Sequence, residues 1–132
     1  MPRTGVLLSL SREHHTSLVL ARAARKAAES NDTATNLAMV ERIEAHWHDV
    51  LASHFVQEEA LLRLTEDTLN AEIVARILTE HEELRMLACG PCELDSAARL
   101  RRVGELLAAH VRYEERVLFP QLQSHPRIAD LM

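Results

Sequence analysis

A chain of 132 residues, 47% of them apolar, can bury one continuous core, so a single domain over residues 1–132 is expected. The net charge of −5, with arginines spread among acids, argues against a phosphate-binding face and hence against a nucleic-acid partner. No apolar run approaches the ~20 residues that cross a bilayer, the stretch within 1–10 is too short for a secretory signal, and Cys89 and Cys92 are too few for a disulfide scaffold. The expectation is a soluble, cytoplasmic protein with no membrane partner.

Glycine, proline and aromatic residues are scarce, while Ala, Leu, Glu and Arg abound, so helix formers dominate and the fold class expected is all-α. The first helix is predicted over 10–30, capped by Ser9 or Ser11, with Leu18, Ala21, Ala24 and Ala28 on one face. Asn31 and Asp32 interrupt it. The second, over 35–64 with Thr35 as cap, carries Met39, Ile43, Trp47, Leu51, Phe55 and Leu62 at helical spacing. A polar turn leads to a third helix over 71–88, whose stripe is Val74, Ile77, Leu78, Leu84 and Leu87. Gly90 and Pro91 stop it. Asp95 or Ser96 caps the fourth, over 95–123, with Val103, Leu106, Leu107, Val111 and Leu118 inward; residues beyond 124 read as peripheral. Four such helices with short connections predict an up-down-up-down antiparallel four-helix bundle.

A weak internal echo runs through the helices. Glu13-His14 in the first is repeated as Glu80-His81 in the third, and His54 with Glu58-Glu59 in the second as His110 with Glu114-Glu115 in the fourth. His54 and Glu58, like His110 and Glu114, are four apart and share a helix face, and that face is apolar because Leu51 and Trp47 precede His54 as Leu107 and Val103 precede His110. Glu59 and Glu115 lie about 140° round from the histidines and are expected to face solvent. His81 falls on the stripe of the third helix; in the first, His14 lies nearer the Leu10, Leu18, Ala21 face than His15, although phase near a helix start does not separate the two.

Ionised carboxylates in a core cost several kcal/mol each unless compensated, against a domain stability of about 5–15 kcal/mol. Arg112 and Arg116 do not share the inward face, so a cation held jointly by these imidazoles and carboxylates is the economical solution. Nitrogen and oxygen donors without thiolate suit iron, manganese or zinc.

Four segments together carry a family resemblance: Leu10-Ser-Arg-Glu-His-His15, His54-Phe-Val-Gln-Glu-Glu59, Glu80-His-Glu-Glu-Leu-Arg85 and His110-Val-Arg-Tyr-Glu-Glu-Arg-Val-Leu-Phe-Pro120. In their order and spacing they resemble the hemerythrin and HHE cation-binding family over essentially the whole chain. The resemblance implies a hemerythrin-like bundle holding two non-haem irons, with Mn or Zn as substitutes. It also implies that Glu58 and Glu114 bridge the ions, with His81 and His110 on one and His54 plus His14 or His15 on the other. Glu115 is a substitute bridge. Oxygen-carrying relatives have a further histidine one turn before His81, where this chain has Ile77, which argues against reversible oxygen carriage and leaves a coordination position open.

The function expected is binding or sensing of a small ligand, O2, NO or peroxide, with a di-iron enzyme acting on peroxide or NO and an iron storage or delivery protein as alternatives. Monomer and homodimer are both left open. His46, His48 and His125 read as surface or helix-end residues, and Cys89-Gly-Pro-Cys92, lacking the strand-to-helix junction of a redox tetrapeptide, reads as a turn.

Overall fold

The computed structural model describes residues 5–129, and among these the chain is all helix and turn, without a strand. Helix α1 (Gly5–Ala28) begins well before the expected start, because Leu7 and Leu10 are fully buried and draw the first turns onto the core; Ser9 and Ser11 lie inside the helix rather than at its cap. Helix α2, residues 33–65, is α-helical over Thr33–His46, π-helical over Trp47–Leu51 and α-helical again over Ala52–Thr65. Its N-cap position is held by Asp32, not Thr35. Helix α3 (Ala71–Ala88) starts where Asn70 Oδ1 accepts from the Glu72 N–H, and helix α4, residues 96–124, where Asp95 accepts from the Ala98 N–H. Like α2, α4 contains a π-helical stretch, Glu114–Leu118, between Ser96–Tyr113 and Phe119–Ser124. No helix among the described residues is long and apolar enough to cross a membrane.

The most extensive packing is between α1 and α4, where Ala21, Ala24, Ala28 and Ala108 keep the contact thin. Gly104 lies at a close approach: a Cβ there would sit 2.8 Å from the Ala21 carbonyl oxygen and 2.6 Å from Arg25 Cγ. The core falls into two apolar clusters. One holds Leu20, Ile43, Leu51, Phe55, Leu84, Val103 and Leu107 among others; the second holds Leu7, Leu10, Leu61, Leu62, Ile77, Leu118, Phe119, Leu122 and Ile128. Between them lies a polar layer. Along α1 and α3 the chain passes from the second cluster through the layer to the first, and along α2 and α4 it passes the other way.

The segment beyond Ser124 is not peripheral. A bend at His125 and the short helix α5 (Pro126–Ala129) return Ile128, with no exposed surface, to Leu7, Leu10, Leu61 and Leu62, and Arg127 donates to the Leu64 carbonyl oxygen at 3.2 Å. His125 is correspondingly buried rather than superficial, while His48 is exposed and His46 is half-buried against Ser17.

Candidate metal centre

The polar layer consists of His14 on α1, His54 and Glu58 on α2, His81 on α3, and His110 and Glu114 on α4, all 3% exposed or less. Spacing explains why each helix delivers its donors here. His54 and Glu58 are one turn apart on the face that continues from Leu51 to Leu61, and His110 and Glu114 on the face that continues from Leu107 to Leu118. The π-helical stretch starting at Glu114 inserts a wider turn just past the donors, so that Leu118, Phe119 and Leu122 all remain buried after the carboxylate.

Every imidazole turns Nε2 toward the two central carboxylates. His14 Nε2 is 2.9 Å from Glu114 Oε1 and 3.4 Å from Glu58 Oε2. His81 Nε2 is 3.0 Å from Glu58 Oε1 and 3.7 Å from Glu114 Oε2. His54 Nε2 is 3.0 Å from Glu58, and His110 Nε2 3.3 Å from Glu114. Exchanging α1 with α3 and α2 with α4 maps one half of this set onto the other, so the echo in the sequence is also an echo in space. Two donor groups result, His14, His54, Glu58 and Glu114, and His81, His110, Glu58 and Glu114, each with its ligating atoms within 4.8 Å of one another.

Behind the rings stand four more carboxylates. Each histidine Nδ1 faces one: Glu115 for His14 at 2.6 Å, Glu13 for His54 at 3.0 Å, Glu59 for His81 at 2.9 Å and Glu80 for His110 at 2.8 Å. An ionised carboxylate only accepts, so the proton resides on Nδ1 and Nε2 is left for whatever occupies the centre. Ser11 Oγ donates to Glu115, and Arg76 and Arg85 flank Glu80 and Glu59. Two aromatic rings close the layer: Phe55 stacks on His81 at 3.9 Å and Phe119 on His14 at 5.0 Å between centroids.

Without a cation, the layer balances its charge with protons. Burial pushes His14, His81 and His110 down, yet the carboxylates outweigh it. His14, against Glu114, Glu115 and Glu58, is raised to about 11. His81, against Glu114 and Glu58, is raised to about 10, and His110, against Glu114 and Glu80, to about 9. Conversely, burial and mutual repulsion push Glu58 up, but His14, His54 and His81 hold it below its usual value; Glu114, despite complete burial, is held well below by His110, His14 and His81. Protons are an incomplete substitute. Glu58 Oε2, Glu114 Oε2 and His110 Nε2 are buried without a hydrogen-bond partner, and the Nε2 atoms of His14 and His54 are 3.1 Å apart, where only one proton fits between them. Buried polar atoms are normally satisfied, and these three belong to the two donor groups that could hold a cation.

No family model, no curated protein and no solved structure matches the chain. The centre therefore rests on its own geometry. The structure brings together six of the seven residues singled out from the sequence: His14, His54, Glu58, His81, His110 and Glu114. His15 is exposed and stands outside the group. Two expectations change. Glu59 and Glu115 are not solvent residues but lie against His81 and His14, about 30% exposed or less at their side chains, and Glu115 stands behind an imidazole rather than between the two donor groups. Glu13 and Glu80 had been visible only as members of the repeated Glu-His pairs; their reach to the histidine of the next helix had no signal within a single helix.

Proposed function

We propose that this chain is a hemerythrin-like protein whose helices form an up-down-up-down four-helix bundle around a non-haem di-iron centre, and that it binds or senses O2, NO or a peroxide. The alternating order in which the helices pass the two apolar clusters supports the topology, since each reversal of order corresponds to a reversal of direction. The observation that carries the reading is the pair of buried donor groups sharing Glu58 and Glu114, with one oxygen of each carboxylate left without a hydrogen-bond partner. Two imidazoles and two shared carboxylates for each position suit iron, with manganese and zinc able to use the same donors.

When bound, the irons supply electrophilic centres with open coordination positions and accessible redox states. The chain would do the rest. Glu58 and Glu114 would neutralise the charge, two Nε2 atoms would serve each position, and Phe55 and Phe119, stacked on His81 and His14, hold those ring planes. Ile77, one turn before His81 and fully buried among apolar residues, provides no donor, so an ion held by His81 and His110 would have one coordination position that this helix does not fill.

Anaerobic titration with ferrous iron tests this reading. Two irons per chain are expected, with an optical spectrum that changes on adding azide to the oxidised protein or NO to the reduced protein. Two irons whose spectrum ignores every small ligand would point to storage or a structural role instead.

A further inference from the structure

The four pairs behind the imidazoles form a closed circuit. Glu13 of α1 holds His54 of α2, Glu59 of α2 holds His81 of α3, Glu80 of α3 holds His110 of α4, and Glu115 of α4 holds His14 of α1. Each helix gives one imidazole and one outer carboxylate, and each carboxylate reaches forward to the next helix. The sense is the same all the way round for a geometric reason. On α1 and α3 the outer glutamate precedes an inward histidine, whereas on α2 and α4 it follows an inward glutamate. One residue is about 100° of helix rotation, so preceding on a helix running one way and following on a helix running the other way turn the side chain in the same direction about the bundle axis.

We propose that this circuit of Glu13, Glu59, Glu80 and Glu115 is a positioning device for the metal centre. It fixes every imidazole with Nδ1–H outward and Nε2 inward, and so sets how tightly the two positions hold their ions. The proposal rests on the metal-binding reading above and adds residues that touch no ion. An imidazole with a single free nitrogen can flip or exchange tautomers; one whose Nδ1–H is donated to a carboxylate on a neighbouring helix cannot do so without breaking that bond, and the carboxylate makes the ring a stronger donor. Because each link spans two helices, the circuit also ties ring orientation to helix packing, which a carboxylate on the same helix would not do.

Zinc serves as a diamagnetic probe with the full chain. In the wild type, two zinc ions per chain and four downfield, slowly exchanging imidazole Nδ1–H resonances are expected. Glu13→Ala should abolish the His54 resonance and Glu80→Ala that of His110, each weakening zinc binding in competition with a chromophoric chelator by about 10–100-fold. Glu13→Gln and Glu80→Gln, which keep a carbonyl acceptor of the same shape, should keep the resonance and lose less affinity; they also separate positioning from misfolding. Glu83→Ala, which breaks only the exposed pair with Arg102, should change neither. Wild type that loads two zinc ions, with alanine variants that bind equally tightly and retain all four resonances, would overturn the positioning role alone. Wild type that takes up no metal would overturn the metal reading and the circuit's role with it.

Discussion

At the residue scale, the centre works by making each donor depend on the others. Glu58 and Glu114 are tolerable in the core because they stand opposite four imidazoles, and each imidazole in turn meets carboxylates at both nitrogens. Removing an inner donor should therefore be costly to the metal. Glu58→Ala and His110→Ala are each expected to lower iron bound after reconstitution to one ion per chain or fewer, whereas His15→Ala, at an exposed position, should leave two; elemental analysis of desalted protein distinguishes these outcomes. His54 with Glu58 and His110 with Glu114 were legible in the sequence because a histidine and a glutamate four apart share one face of a single helix, and His81 because it falls on the apolar stripe of its own. His14 against His15 was not, since a predicted start at residue 10 left both near a helix end, whereas the helix starts at Gly5 and holds both well inside it. The outer carboxylates were illegible for a different reason: their partners lie on another helix, and single-helix phase assigns them to solvent.

At the element scale, the two departures from regular α-helix sit beside the donors. The stretch Trp47–Leu51 ends three residues before His54, and Glu114–Leu118 begins at a central carboxylate. A reading at a fixed rotation per residue finds four helices but cannot find an inserted wider turn, which is why the buried pair Leu118 and Phe119 was only half expected. Contact between α1 and α4 depends on small residues, and Gly104 is the test of it. Gly104→Ala must displace both the Ala21 carbonyl and the Arg25 stem and is expected to destabilise the protein by about 1–3 kcal/mol, measured by urea unfolding of the metal-free form. A neutral or stabilising result would mean that the helices are not this close. Ile128 marks a similar limit of legibility: a lone isoleucine beyond the predicted end of the fourth helix carries no periodicity, and only the bend at His125 returns it to the core.

At the scale of the whole molecule, the polar layer makes stability and metal loading functions of pH. His14, His81 and His110 are raised in the folded metal-free protein to about 11, 10 and 9 from 6.5, so their contribution is complete below about 6.5 and is lost as pH climbs through 9 to 11. Glu58 and Glu114 are lowered, so theirs is present above about 4.5 and is lost as pH falls below it. The metal-free protein should thus melt at its highest temperature between these limits and lose stability toward alkaline pH, while the loaded protein keeps it there, because the ions have replaced the protons. Metal uptake should release protons and tighten as pH rises from 6 to 8, which a weakly buffered indicator titration would detect. The most direct test is anomalous diffraction at the iron edge from crystals of the reconstituted protein. Two anomalous peaks between Glu58 and Glu114 are predicted, one beside His14 and His54 and the other beside His81 and His110; a loaded crystal with a single peak, or with iron bound elsewhere on the surface, would contradict it.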